Sequence, residues 1–250
     1  MQILLGDTGR GEQKNSASGK VMSTGNDALT SGYTVAFNPN LIISTPVAMT
    51  TTADLIVQGL KDLGLSHLFC LPGVQNDDFF DALYPHRETV RPIQVRHEQA
   101  AGYMALGAAL ATGQPQAYCV VPGPGFLNTT AALSTAYGMN APVLALVGQI
   151  PTGAQGKGHG LLHEIPDQFG ILERLTKSSH RVTGGGDAVG HVVDAFTSLV
   201  SGRPQPVGLE IAVNLWTQDV TGTLPDLAPP GRPAPAVDTD AIDRAAKLIA

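Results

Sequence analysis

The feature that most constrains the fold of this chain is a series of short, continuous apolar runs that alternate with helix-like segments. The runs cover residues 67–71, 90–95, 117–121, 143–147, 179–182 and 207–213. Strands with one solvated face alternate in polarity, whereas uninterrupted apolar runs indicate strands that are buried on both faces of a parallel sheet. The alternation with helices therefore predicts an α/β fold, a doubly wound parallel sheet with helices on both faces.

The segments between the runs predict the helices. A first amphipathic helix begins after Thr51 or Thr52, either of which can cap it, and Gly64 ends it. Further helices are predicted at residues 77–84, 99–111, 127–139, 167–174 and 187–200.

Composition predicts four parts of the chain. Residues 1–48 are a disordered or non-native extension and residues 49–216 an α/β domain. Residues 217–237 are a Pro-rich linker, and residues 238–250 are the truncated start of a second α/β domain. The first part is rich in Gly, Ser, Thr and Asn without a sustained period. Prolines favour extended chain in the third part. The last part predicts an amphipathic helix with four apolar residues on one face, namely Ile242, Ala245, Ala246 and Ile249.

Composition and charge exclude several classes of function. The 250 residues carry a net charge of −6 without a basic run, so neither nucleic acid nor an anionic membrane is an expected partner. Charged residues interrupt the opening segment, which excludes a signal peptide, and no apolar run is long enough to span a bilayer. Cys70 and Cys119 do not make a disulfide framework, which favours a cytoplasmic protein.

Polar residues and tight turns follow the predicted strands. Glu98 stands where one apolar run ends and a helix begins, and Gly148-Gln149 ends another run. Pro72-Gly73-Val74 and the segment from Gly123 to Asn128 follow two more. Ligands of open α/β sheets bind at the carboxyl ends of strands. A rim of two Gly/Pro turns, one carboxylate and one amide suits a planar heterocycle held by a few polar contacts.

Two weaker patterns point to other ligands. Gly123-x-Gly125 follows a strand and opens a helix, as a dinucleotide-binding turn does, but Asn128 replaces the third glycine and the next strand ends without a ribose-binding acid. His159 and His163 have the spacing of metal ligands on a helix. They lie in or beside a Gly-rich loop without an evident third ligand, so no metal site is predicted.

Six segments occur in an order and spacing that match a known family. They are Phe69-Cys70-Leu71-Pro72-Gly73, Arg96-His97-Glu98-Gln99-Ala100-Ala101, Gly113, Pro122-Gly123-Pro124-Gly125 with Asn128, Pro142 ahead of residues 143–149, and Leu175-Thr176-Lys177-Ser178. With them, residues 49–216 resemble the pyrimidine-binding domain of thiamine-diphosphate enzymes, closest in pattern to acetolactate synthases. The resemblance covers about two thirds of the chain.

The resemblance implies a role for each rim residue. Glu98 would hydrogen-bond the pyrimidine ring nitrogen of thiamine diphosphate and favour the imino form, which removes the thiazolium C2 proton. The resulting ylid would attack a 2-oxo acid such as pyruvate, for decarboxylation and carboligation. Gln149 would be a second catalytic residue that reaches the substrate. The implied cofactor-binding residues are Pro72, Gly73, Val74, Glu98, Gly123, Gly125 and Asn128.

The resemblance also implies parts that this sequence lacks. In the family, Mg²⁺ and the diphosphate are held by a Gly-Asp-Gly motif on a separate domain, and these residues contain no such motif. The family site forms between two subunits, which implies a homodimer or homotetramer through the pyrimidine-binding domain. The fragment alone is therefore expected to be inactive, and whether FAD is also bound stays open.

One departure from the family leaves the substrate open. Leu162-His163-Glu164 stands where acetolactate synthases carry Phe-Gln-Glu, so His163 is either an added acid or base or a loop side chain. Acetolactate formation is the leading hypothesis, with a thiamine-diphosphate-dependent decarboxylase or acyl-CoA lyase as the alternative. Outside this class, a non-catalytic truncated binding or assembly module and a dinucleotide-dependent oxidoreductase are the alternatives.

Overall fold

The computed structural model describes residues 50–220, 222 and 237–249. The predicted extension and most of the predicted linker lie outside the described residues. The strands are β1 (His67–Leu71), β2 (Arg91–Gln94), β3 (Gln116–Val120), β4 (Val143–Gln149), β5 (Ser178–Val182) and β6 (Val207–Ala212). The α-helices are α1 (Thr52–Asp62), α2 (Asp77–Leu83), α3 (Glu98–Thr112), α4 (Pro124–Leu127), α5 (Thr130–Gly138), α6 (Gln168–Leu175), α7 (Ala188–Val200) and α8 (Thr239–Ile249).

The strands form one six-stranded sheet in the order β2-β1-β3-β4-β6-β5, and every pair of neighbours is parallel. The chain runs outward from β1 to the edge strand β2 and then returns to place β3 on the other side of β1. The connections after β1 and β3 therefore leave the sheet at a topological switch point, which is where open α/β sheets bind ligands. The predicted doubly wound parallel fold is confirmed.

Helices cover both faces of the sheet, which explains the continuous apolar runs. In β3, Ala117 and Cys119 join the core beneath α1, α2 and α7, whereas Tyr118 and Val120 join the core beneath α3, α5 and α6. The strand period of two thus sends alternate apolar side chains into two separate cores. Both cysteines are buried and free, and burial raises the pKa of Cys70 to about 12.

The second apolar run differs from its prediction. Residues 90–95 were expected to form a buried strand, but β2 is an edge strand in which Arg91, Pro92 and Gln94 are exposed. Proline lacks the N–H that a central strand donates, so edge positions are where a sheet accepts it. Only the flanking residues Val90 and Val95 are buried.

The helix predicted over residues 127–139 is wrong as a single element, because the segment divides into α4 and α5. Thr129 interrupts it. Its backbone N–H and its hydroxyl both donate to Phe126 O, at 2.8 and 2.7 Å, so the chain tightens before α5 begins. The Thr129 hydroxyl oxygen also lies 2.9 Å from the hydroxyl of buried Tyr118, which fixes the interruption to β3.

The remaining helices show two further features. Thr51 caps α1 in a reciprocal capping box with Asp54, which confirms one of the two predicted caps. In α8, Ile242, Leu248 and Ile249 are 56%, 88% and 87% exposed. That this helix opens a second domain stays a prediction. No described helix has the length and apolar character needed to cross a membrane.

Candidate functional site

Three connections lie side by side at the carboxyl edge of the sheet. They follow β1, β3 and β4, which are consecutive neighbours in the sheet. The first contains Pro72 to Val74, the second runs from Pro122 to Asn128, and the third follows Gln149, the last residue of β4. The fold thus brings the predicted turns to one rim, and α3 starts at the same rim after β2.

Glu98 is the first residue of α3 and its side chain is held in place. Asn128 Nδ2 donates to Glu98 Oε2 at 2.9 Å, across 30 residues of sequence. The other oxygen, Oε1, accepts no hydrogen bond from the residues that the structure describes, and Glu98 is half-buried. His97 caps the helix by accepting the Gln99 N–H on its Nδ1 at 3.2 Å. A carboxylate in the first turn is also favoured by the helix dipole.

Two glycines hold the connections after β1 and β3 close together. A Cβ added at Gly73 or at Gly125 would lie 2.6 Å from a methyl carbon of Val121. The Gly125 position is also 3.7 Å from Glu98 Oε1. Neither glycine could carry a side chain without moving Val121. The backbones of the two connections are therefore packed closely together beside Glu98 Oε1.

Gly123 meets a different constraint. Its φ of +59° lies in the region that only glycine adopts easily, and an added Cβ would be 2.3 Å from His163 O. The backbone of the loop after β4 therefore lies directly on the turn after β3. This contact is one reason that the turn requires glycine, independent of any ligand.

The loop after β4 brings His163 to the rim but leaves His159 exposed. His163 has a φ of +69°, and its Nδ1 lies 2.9 Å from Gln75 Oε1. Gln75 Nε2 donates to Leu162 O at 3.3 Å, and the Gln75 carbonyl accepts the Trp216 indole N–H at 2.7 Å. Gln75, which the sequence analysis did not single out, thus fixes His163 against the connection after β1.

Glu164 closes the same loop. Its carboxylate accepts the backbone N–H groups of Leu161 at 2.9 Å and Gly158 at 3.0 Å. Backbone hydrogen bonds, that from Leu161 first, hold the pKa of Glu164 below its usual value. Within the described residues, no group of three His, Cys, Asp or Glu side chains could hold a metal ion.

Gln149 is buried and both ends of its amide are engaged inside the protein. Its Nε2 donates to Glu210 Oε2 at 3.1 Å, and its Oε1 accepts the Ile150 N–H at 2.7 Å. It still borders a cleft of about 350 Å³, together with Gln155, Asp167 and Arg181. That Gln149 reaches a substrate stays a prediction; its NH₂ group has a second proton and its oxygen a second lone pair with which to do so.

A buried polar cluster behind the rim was missed in the sequence. Glu210 on β6 is fully buried and accepts Arg181 Nε at 2.6 Å, together with the side-chain amides of Gln149 and Gln168. Gln168 also binds the turn after β3, because its Oε1 accepts the Gly123 N–H at 2.7 Å. The available signal was the single charged residue in the apolar run 207–213.

Comparisons with known proteins agree with this geometry. Residues 50–171 match the family described as thiamine pyrophosphate enzyme, N-terminal TPP binding domain. The chain is 36% identical over 167 residues to an acetolactate synthase of Arthrospira platensis, covering 66% of this chain and 28% of the relative. It is 36% identical over 166 residues to the acetolactate synthase isozyme 3 large subunit of Escherichia coli, covering 65% and 28%.

A relative with a different name matches a stretch of similar length. The "Probable 2-ketoarginine decarboxylase AruI" of Pseudomonas aeruginosa is 30% identical over 175 residues, covering 70% of this chain and 31% of the relative. The aligned part is thus about a third of the length of each of these relatives. With the parallel sheet and its rim, these matches show that the chain belongs to the thiamine pyrophosphate enzymes, as an acetolactate synthase-like N-terminal TPP binding domain.

Proposed function

We propose that this chain is the pyrimidine-binding part of an enzyme that uses thiamine diphosphate on 2-oxo acids such as pyruvate. The observation that carries the proposal is the Glu98 carboxylate, anchored through one oxygen by Asn128, whereas the other oxygen, beside Gly125, accepts no hydrogen bond from the described residues. The family match supports thiamine diphosphate as the cofactor, and the rim supplies residues that suit its pyrimidine ring.

The rim fits a flat aminopyrimidine on two counts. A half-buried carboxylate oxygen that accepts no hydrogen bond from the described residues can hydrogen-bond a ring nitrogen and share a proton with it. The second count is the close packing of Gly73 and Gly125 on Val121, which keeps the connections after β1 and β3 together beside Glu98. Pro72, Gly73 and Val74 are proposed to border the substrate side of the same rim.

Thiamine diphosphate, when bound, would supply a carbon that becomes nucleophilic on deprotonation, for chemistry next to the keto group of a 2-oxo acid. The chain's own part is to position and to move a proton. Glu98 would hold the proton at the ring nitrogen, and Asn128 keeps the carboxylate turned towards it. The turn at Gly123, from which α4 begins, positions Asn128. Mg²⁺ and the diphosphate are proposed to bind on a domain other than this one.

Assembly through this domain is part of the proposal. α3 and its neighbours carry a set of exposed apolar side chains, which consists of Tyr103, Met104, Leu110, Tyr137 and Met139. Apolar patches on a helix face are typical of protein–protein contacts. We propose that a second copy of the chain covers this patch, in a homodimer or a homotetramer.

Acetolactate formation is the preferred reaction, since two of the relatives above are acetolactate synthases. The second candidate is a decarboxylase or lyase. His163 favours it, because an imidazole held at the rim can transfer a proton that an amide in its place could not. Acetolactate or aldehyde formed from pyruvate by the complete enzyme would separate the two reactions.

The cofactor proposal is tested by titrating the labelled protein with thiamine diphosphate and Mg²⁺ while recording ¹⁵N–¹H spectra. We expect shifts confined to residues 72–74, 98 and 123–128. Glu98→Gln should weaken binding about tenfold, because a neutral hydrogen bond replaces a charge-assisted one. Glu88→Gln is the matched control, since Glu88 is 92% exposed at the opposite end of β2.

Shifts scattered over the surface, or equal binding by both variants, would count against the proposed site. Unchanged spectra at saturating cofactor would leave the second class of function, a binding or assembly module without catalysis. In that case the self-association of the chain should persist while cofactor binding is absent.

A further inference from the structure

We infer that Gln168, oriented by the buried Glu210–Arg181 pair, is a positioning residue that fixes the Gly123 turn and through it the hydrogen bond between Asn128 and Glu98. The inference rests on the proposed function only for the importance of Glu98, because the contacts themselves lie within the chain. It concerns a side chain behind the Gly123 turn that borders the same cleft as Gln149.

Gln168 joins three elements through one side chain. Its Oε1 accepts the Gly123 N–H at 2.7 Å. Its Nε2 donates to Gly148 O at 3.0 Å and to Glu210 Oε2 at 2.8 Å. All of these atoms are buried, and Gln168 is 1% exposed. The amide thus ties the turn after β3 to the end of β4 and to the middle of β6.

The orientation of this amide is determined by Glu210. A carboxylate is an acceptor only, so the amide must turn its NH₂ towards Glu210 and its oxygen towards Gly123. The reversed amide would set NH₂ against the Gly123 N–H and oxygen against both Glu210 and Gly148 O. Each contact in the observed orientation has one donor and one acceptor, which a buried network requires.

Arg181 keeps the carboxylate in its place. Its Nε donates to Glu210 Oε1 at 2.6 Å, and its guanidinium stacks on Phe169 with the central carbon 4.3 Å from the ring centroid. Phe169 follows Gln168 directly on α6. The stacking therefore holds the start of α6, which includes Gln168, beside β5.

The Gly123 turn connects this cluster to the rim. Gly123 O accepts the Leu127 N–H at 2.9 Å and Pro124 O accepts the Asn128 N–H at 3.0 Å, which forms α4. Asn128 then donates from Nδ2 to Glu98 Oε2. Because α4 is a single turn, Gly123 and Asn128 lie at its two ends, and a shift of Gly123 is transmitted along this one turn, whose Phe126 side chain is buried in the core. Gln168 thus acts on Glu98 indirectly, through the backbone of α4 and the side chain of Asn128.

The test uses the full chain labelled with ¹⁵N and compares Gln168→Met with Gln205→Met. Methionine keeps the volume of glutamine and removes its hydrogen bonds. Gln205 is also buried, donates to Tyr137 O at 3.2 Å, and lies at the opposite edge of the sheet. The readouts are the side-chain NH₂ signal of Asn128, amide exchange at residues 123–128, and thermal unfolding.

We expect Gln168→Met to shift or broaden the Asn128 side-chain signal and to speed amide exchange at residues 123–128 about tenfold or more. Gln205→Met removes one hydrogen bond where Gln168→Met removes three, so it should lower the unfolding temperature less and leave the Asn128 signal as in the native chain. An unchanged Asn128 signal in Gln168→Met, or an equal change of that signal in both variants, would overturn the inference.

A measurement on the native chain covers the case in which Gln168→Met does not fold. The Gly123 amide should exchange as slowly as the amides of β3, although it lies in a turn, whereas exchange as fast as that of an exposed loop amide would overturn the inference. None of these readouts uses a cofactor. A chain that fails to bind thiamine diphosphate but shows the expected Asn128 change would refute the proposed function and retain this inference.

Discussion

Glu98 and Glu210 are two carboxylates with opposite surroundings. Glu98 is half-buried and has one amide partner, and its other oxygen accepts no hydrogen bond from the described residues. Glu210 is fully buried and accepts hydrogen bonds from Arg181, Gln149 and Gln168. An open carboxylate can exchange a proton with a ligand, whereas a saturated one organises its neighbours. The two residues therefore belong to different layers of the proposed site.

Replacing Glu98 with glutamine tests the first layer. The amide keeps the shape and the hydrogen bond to the ring, but it cannot share a proton with it. In a complete enzyme we expect Glu98→Gln to lower kcat for pyruvate by about two orders of magnitude, the usual scale of proton-transfer catalysis. Steady-state kinetics would measure it, with circular dichroism to show an intact fold. Turnover near that of the native enzyme would contradict the assigned role.

Replacing Arg181 tests the second layer. Arg181→Met leaves the buried Glu210 carboxylate without its cation, and breaking such a pair costs about 3 kcal/mol or more in the free energy of unfolding. Arg174→Met is the control, since Arg174 is exposed on α6 and should change the free energy by less than about 0.5 kcal/mol. Urea unfolding measures both. Equal, small changes in the free energy of unfolding would show that the buried Glu210 carboxylate does not need Arg181 for stability.

At the scale of elements, the loop after β4 is the part that the local pattern describes least. It has no helix period, yet His163, Glu164 and the Gly-rich stretch are ordered by contacts to Gln75 and to backbone N–H groups. Its backbone packs against Gly123 at His163, and the Gly123 N–H donates to the buried side chain of Gln168. The turn after β3 is thus fixed by two elements that follow it in the chain.

The loop should respond to acid before the sheet does. The pKa of Glu164 is lowered on folding, mainly by the Leu161 N–H, so its contribution to loop stability is complete above its ordinary value of 4.5. The contribution is lost as the pH falls through the lowered pKa. We expect amide exchange at residues 158–164, corrected for its intrinsic pH dependence, to accelerate in that window. Glu164→Gln should remove this pH step, and a step that survives would assign it to another group.

At the scale of the molecule, helices cover both faces of the six-stranded sheet, and one of them, α3, carries exposed apolar side chains on its outer face. Tyr103 and Leu110 are 41% and 46% exposed and lie two helical turns apart on one face. The buried side of the same helix is built of small residues, including Ala101, Gly102 and Ala105, that let it lie close to the sheet. The helix is therefore apolar on both sides.

Self-association through this patch is the prediction at this scale. Tyr103→Ser combined with Leu110→Ser should raise the dissociation constant of the dimer about tenfold or more, because each change removes buried apolar area from the proposed interface. Tyr84→Ser is the control, since Tyr84 is 65% exposed away from α3. Sedimentation velocity over a concentration series measures the change. A dimer weakened equally by the control would place the interface elsewhere.

The sequence by itself determined the strands, their parallel arrangement, most helices and the turns at the strand ends, because each depends on a local period or on a glycine or proline at one position. Only the tertiary structure decided that β2 lies exposed at an edge, that Thr129 divides a helix, and that His163 rests against Gln75.

The buried cluster shows the same limit at the site. Glu98, Gly123 and Asn128 could be chosen from motifs, but Gln168 meets Gly123 across 45 residues of sequence and Gln149 meets Glu210 across 61. Such pairings arise from the order in which strands join the sheet, which no local pattern specifies. The residues of the rim can thus be recognised from local motifs, whereas the residues that hold the rim in place are brought there only by the packing of the sheet.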